Sequence, residues 1–161
     1  MRRMPIIIIL FLLSGCCLDE SIGLKASWLK RAGNDYLEVW IPFATPNSSM
    51  GMDFLYFRRE ILYTRDIETN AYNALNELLR GPTDEEEHKG AYPLVKESRI
   101  LSLKIKKGRA VINFSQEFAP AGGSLAVWEC RIAVEEVLRQ FSVRKLEIFV
   151  EGRPASESLQ P

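Results

Sequence analysis

The sequence predicts an α+β domain: two helices packed on one face of a mainly antiparallel sheet, in the order β-β-α-β-β-α-β. Three observations carry this. Two stretches, 70–80 and 124–141, repeat apolar residues at the helical period. Several short stretches alternate apolar and polar residues at the strand period. One pair of these, 101–106 and 109–114, is separated by Lys107-Gly108 and reads as a hairpin. Composition agrees. The 161 residues are 47% hydrophobic and 26% charged, which excludes disordered, collagenous and multi-span membrane chains. The 21 basic and 21 acidic side chains balance, so no nucleic-acid partner is expected.

The elements follow in chain order. Leu37, Val39 and Ile41 alternate with Glu38 and Trp40, which gives a strand over 36–41 that stops at Pro42. Residues 44–53 carry Pro, Asn, Ser and Gly and read as a loop; the aromatic-rich 54–63 is the second strand. In 70–80, Ala71, Tyr72, Ala74, Leu75, Leu78 and Leu79 share one helical face, and Gly81-Pro82 ends the helix. Thr83 with Glu86 forms a capping box that starts a second, short helix through the acidic run 84–87 and His88. In the hairpin, Ile105 pairs Ala110, Leu103 pairs Ile112 and Leu101 pairs Phe114, all on one face. Gly122-Gly123-Ser124 opens the main helix, with Ser124 as N-cap and Ala126, Val127, Cys130, Ala133, Val134, Val137, Leu138 and Phe141 on its core face. The last strand, 145–151, turns Leu146, Ile148 and Val150 inward.

The first residues set an address. Arg2 and Arg3 precede the apolar run Ile6–Leu13, which is too short to span a bilayer and suits a signal peptide. Leu13-Ser14-Gly15-Cys16 resembles a bacterial lipobox. The resemblance implies cleavage after Gly15 and a diacylglycerol thioether on Cys16, with enough acyl chain for stable anchoring. Residues 1–15 are thus a signal peptide, 16–34 a lipidated tether, 35–154 the folded domain and 155–161 a disordered tail. Loss of Arg2 and Arg3 leaves 19 basic and 21 acidic residues, a net charge of −2. Cys17 and Cys130 are then the remaining thiols, so no disulfide framework is expected.

Four strings, in order, resemble the GerMN domain of a bacterial sporulation and spore-germination lipoprotein: Leu78-Leu79-Arg80-Gly81-Pro82-Thr83, Val111–Phe118, Gly122-Gly123-Ser124 and Phe149–Pro154. The resemblance covers roughly Tyr36 to Pro154 and a single copy of the domain. It implies a cell-envelope binding or assembly module, similar to the small ring-building α/β modules of secretion and sporulation complexes. It implies no catalysis.

Candidate sites follow from exposed chemistry. Leu125, Trp128 and Ile132 fall in one sector of the main helix, opposite its core face and among Glu129, Glu135, Glu136 and Arg139. Large apolar side chains there fit a protein contact, or cover by Leu24, Trp28 and Leu29 of the tether. Lys104, Lys106, Lys107 and Arg109 crowd the outer face and tip of the hairpin. They read as a solvated strand face or as a contact for anionic headgroups or wall polymers. Expected partners are therefore the membrane through the lipid, and an envelope protein complex or a cell-wall polymer. No motif requires a cofactor or a metal. The rival class is an enzyme acting on wall glycans, which needs two carboxylates about 5–10 Å apart; Glu117 with Glu129 or Glu136 are the pairs to test. A purely structural envelope spacer is the third class.

Overall fold

The structure is a computed structural model that describes residues 30–31, 35–46, 53–94, 97–118 and 123–155. The lipobox with Cys16, most of the tether, and residues 156–161 lie outside the described residues, as do the side chains of Ser124 and Leu125.

The elements are β1 (Lys30–Arg31), β2 (Tyr36–Ala44), β3 (Phe54–Leu62), α1 (Ile67–Arg80), α2 (Asp84–His88), β4 (Ile100–Lys106) and β5 (Arg109–Phe114). A 3-10 turn (Gln116–Phe118), α3 (Gly123–Arg139), β6 (Lys145–Val150) and β7 (Arg153–Pro154) complete them. The α+β class stands, and the expected order appears as β2-β3-α1-β4-β5-α3-β6. The strands form two hydrogen-bonded sheets, β1-β2-β3 and β4-β5-β6-β7. All pairs are antiparallel except β5 with β6. That pair is parallel because α3 intervenes and carries the chain back to the start of β5.

One core serves both sheets. Val39, Ile41 and Phe43 of β2, Ala71, Ala74 and Leu75 of α1, Ala110, Ile112 and Phe114 of β5, and Ala133, Val134, Val137 and Leu138 of α3 are fully buried in it. Burying each of the larger side chains contributes about 1.5–3 kcal/mol. α1 starts one turn earlier than the apolar pattern indicates. Asp66 caps it by accepting from the N–H groups of Glu68 and Thr69. α2 forms as expected: Thr83 and Glu86 make both bonds of the capping box. Glu86 is also the partner of Arg59, which enters the core face of β3 and bonds both the Glu86 carboxylate and the Gly81 carbonyl. The acidic run is thus a helix start whose one buried carboxylate neutralises a partly buried guanidinium.

The hairpin turn is Lys107-Gly108, with φ of 50° and 73°, the left-handed pair that a two-residue turn requires. Ile105 pairs Ala110 and Leu103 pairs Ile112. The third expected pair differs. A bulge between Ile100 and Ser102 shifts the register, so Ile100 pairs Phe114 and is buried while Leu101 turns outward. Two other expectations change. Tyr72 sits at the margin of the α1 face and is exposed. Glu136 is buried, because the side of α3 that carries it packs against β2 instead of facing solvent.

Pro42 does not end β2, and hydrogen-bond parity explains why. The Trp40 N–H and C=O both bond the Gln140 side chain, at 2.9 and 2.7 Å, so even-numbered residues of β2 point away from β3. Pro42 belongs to that set. Its missing N–H removes nothing from the β2–β3 ladder, as is required of a proline at a sheet edge. The same edge is closed by β1 at Leu37 and Glu38, and by Tyr92, whose N–H bonds the Ala44 carbonyl.

Candidate functional site

The basic hairpin residues occupy the open face of the second sheet. Register places Lys106 opposite Arg109, and Arg109 opposite Lys145 of β6. Three cations therefore form one row across three strands, with Lys107 at the tip and Arg144 hydrogen-bonded through its N–H to the Gly108 carbonyl. Like charges at directly opposed strand positions oppose folding. Two members of the wider cluster have counter-charges: Lys104 with Glu68 at 3.0 Å and Arg109 with Glu147 at 3.2 Å. Lys106, Lys107 and Lys145 have no carboxylate within 4.0 Å among the described residues. Lys145 and Arg144 were missed from sequence, since only the parallel β5–β6 register brings them to this row.

The Glu68 carboxylate also accepts the Ile105 N–H at 2.9 Å, on the outer edge of β4. That bond, then the Lys104 ammonium, hold its carboxyl below the ordinary glutamate range.

Along α3, Trp128 is 40% exposed and Ile132 is partly buried. One and two turns further on, Glu136 and Gln140 of the same stripe are buried, with Gln140 against the edge of β2. The exposed part of this sector is thus its N-terminal end around Trp128. Cys130, on the opposite side, is 1% exposed, and its thiol donates to the Leu94 carbonyl. Burial pushes the thiol pKa up to about 12, as befits a small core side chain.

The three carboxylates of the enzyme reading occupy unlike settings. Glu117 is exposed in the 3-10 turn, and the Ser115 hydroxyl holds its carboxyl below the usual range, the wrong direction for a general acid. Glu129 is half-buried. Glu136 is raised by burial; one oxygen accepts from Arg139 at 3.3 Å, and Oε2 has no partner among the described residues. Beside it, burial and then the Glu136 charge push the Tyr56 hydroxyl up to about 12. A shallow hollow of about 280 Å³ beside Gly81 is lined by Leu79, Arg80, Pro82, Glu87, Pro93 and Glu97, and by none of these three carboxylates.

Two further strings from the sequence have clear structural roles. Asn113 accepts the Gly152 N–H at 2.9 Å, fastening the left-handed turn Glu151-Gly152 that joins β6 to β7. Phe114 stacks on Phe118, with ring centroids 3.9 Å apart. The profile of the family described as Germane, sporulation and spore germination, matches residues 53–156. The chain belongs to the Germane family. The Germane match begins at the entry to β3 and runs just past β7, so β1 and β2 precede it. Solved structures agree on the fold. The tandem GerMN domains of the sporulation protein GerM from Bacillus subtilis align at 19% identity and a TM-score of 0.52, over 77% of this chain and 43% of that one. The first GerMN domain of the same protein aligns at 17% identity and a TM-score of 0.51, over 73% and 84%. None of the curated proteins matches the chain. Among the described residues of this Germane protein, no helix is long and apolar enough to cross a membrane.

Proposed function

We propose that this Germane protein is a lipid-anchored, extracytoplasmic binding module of the bacterial envelope that works by contact and carries out no chemistry. The anchor rests on Leu13-Ser14-Gly15-Cys16. The contact rests on one observation, the row Lys106–Arg109–Lys145 on an open sheet face. Three opposed cations weaken an isolated sheet, and an anionic surface removes that cost. Each basic residue near such a surface is worth about 1 kcal/mol. Held close to the membrane by its tether, the domain would meet anionic headgroups or anionic wall polymer with this face.

Two measurements test the reading. Fractionation of cells expressing the full chain should find it in membranes, with Cys16→Ser released and Cys17→Ser retained. A chain from residue 17, lacking the lipid, should sediment with vesicles containing anionic lipid. Lys106→Glu with Lys107→Glu and Lys145→Glu should abolish this, and Lys104→Glu alone should weaken it less because Glu68 already engages Lys104. Unchanged sedimentation of the triple variant would remove the basic face from the proposal. Trp128 supports a second contact, with an envelope protein complex. Photo-crosslinking in cells from position 128, with position 104 as control, tests it: one discrete protein adduct at 128 alone is the expected result.

A further inference from the structure

β3 is an edge strand whose outward groups at Arg58 and Glu60 find no partner among the described residues, while at its end the Leu62 carbonyl accepts from the Asn73 side-chain amide at 3.5 Å. Parity fixes which groups these are. Even-numbered residues of β2 point away from β3, so odd-numbered residues of the two strands exchange the ladder bonds, and even-numbered residues of β3 face the other edge. Among the described residues nothing bonds the outward N–H and C=O of Arg58 or Glu60. Such an edge templates another strand.

Side-chain charge says which strand. Glu60 sits directly opposite Glu38 in the β2–β3 register, a like-charge pair that opposes the fold. Glu38 is relieved by Arg58 at 3.1 Å; Glu60 has no cation within 4.0 Å among the described residues. Arg58 remains 58% exposed at its side chain and can serve a second carboxylate. Antiparallel pairing of β3 with the β3 of a second copy must oppose even residues to even residues. Arg58 opposite Arg58, or Glu60 opposite Glu60, is repulsive. The register between them puts Arg58 of each copy opposite Glu60 of the other and satisfies both orphan carboxylates. It also sets Leu62, 57% exposed, opposite Tyr56, beside the half-exposed Tyr36 that already faces Leu62 within one copy. Arg59 then falls on the two-fold axis opposite its own copy, but it is turned to the core face and each is neutralised by Glu86; the exposed charges and the apolar residues select the same alignment.

The geometry points to a two-fold dimer in which the β3 edges of two copies join antiparallel, with Arg58 opposite Glu60 and Tyr56 opposite Leu62. The contact is self-complementary and closes, so it makes a dimer and not a filament. It does not depend on the anchor or on the basic face, although attachment to one membrane would raise the local concentration and favour a weak edge contact.

The test uses the full chain expressed in a bacterial host, with a benzophenone amino acid at position 62. The expected adduct has twice the monomer mass, and its crosslinked peptide contains Tyr56. Arg58→Glu should reduce the adduct about tenfold, since attraction becomes repulsion at both symmetric contacts. Arg58→Glu combined with Glu60→Arg should restore it. That rescue separates loss of the contact from loss of the fold. No adduct, an adduct to another protein, a crosslink outside β3, or a double swap that fails to rescue would each overturn the dimer.

Discussion

Gln140 replaces a missing strand. Its amide oxygen accepts the Trp40 N–H at 2.9 Å and its NH2 donates to the Trp40 C=O at 2.7 Å, as a neighbouring backbone would. The side chain is 5% exposed, so water is largely kept from the bonds. Gln140→Ala removes both partners and leaves two polar groups at a partly closed edge. Each group left unsatisfied costs about 1–3 kcal/mol, and water entering the vacated space recovers part of it, so a loss of about 2–4 kcal/mol is expected. For a domain of this size that corresponds to a fall of about 8–15 °C in the melting temperature. Urea denaturation followed by circular dichroism measures it, with Gln116→Ala in the exposed 3-10 turn as control. Gln140→Glu sharpens the test. Its carboxylate accepts the Trp40 N–H but faces the Trp40 carbonyl with a lone pair, so the folded state raises its pKa above the unfolded value of about 4.3. Below the unfolded pKa the neutral acid donates and accepts like the amide, and the variant approaches wild-type stability. As pH rises through the folded pKa that stability is lost. A Gln140→Ala change under about 0.5 kcal/mol, or a Gln140→Glu deficit independent of pH, would refute this account of the edge.

Further outcomes follow from the same structure. Glu136 is raised by burial and one of its oxygens is unpartnered, so Glu136→Gln should stabilise the protein at pH 7. That gain should vanish as pH falls below the unfolded glutamate pKa of about 4.3, and denaturation curves at several pH values check it. Arg59→Met should destabilise by about 3–5 kcal/mol, because it leaves the buried Glu86 carboxylate without its counter-charge; adding Glu86→Gln should recover much of the loss. Ser142 ends α3 at a φ of 62°, so Ser142→Gly should stabilise by about 1 kcal/mol in the same assay. Cys130, with its pKa near 12, should resist alkylation in the folded protein at pH 8 and react on unfolding, as peptide mass mapping of the alkylated chain would show.

The sequence was most legible where local chemistry repeats the global answer. The Lys107-Gly108 turn, the alternation either side of it, the Thr83–Glu86 capping box and the apolar stripes of α1 and α3 each point to the observed element. It was least legible where a tertiary partner supplies what the local sequence lacks. Pro42 looks like a strand end because a proline cannot donate; only the direction of the Trp40 bonds shows that no donor is needed there. The bulge at Leu101 is invisible because Ile100 and Leu101 are equally apolar, and the choice between them rests on the pairing of Phe114. Glu136 looks solvated on a helical wheel, since a wheel does not show that β2 lies against that side. The basic cluster was half legible: the hairpin residues are adjacent in sequence, but Lys145 joins them only through parallel pairing across α3.

The sheet edges connect these particulars to function. Two sheets that do not close present edges, and an edge left bare pairs with whatever strand it meets. On β2 the edge is closed by β1, Gln140, a proline and Tyr92. On β4 the Ile105 N–H is taken by Glu68 of α1. Gln140, Tyr92 and Glu68 are each brought to these edges from a distant part of the chain. β3 is treated differently: among the described residues its outward groups at Arg58 and Glu60 are bare, and the charges beside them alternate in sign where repeated lysines would repel every strand. An edge guarded by one sign of charge refuses all partners equally. Alternating signs refuse most registers and accept one. The dimer proposed above draws on that selectivity at β3.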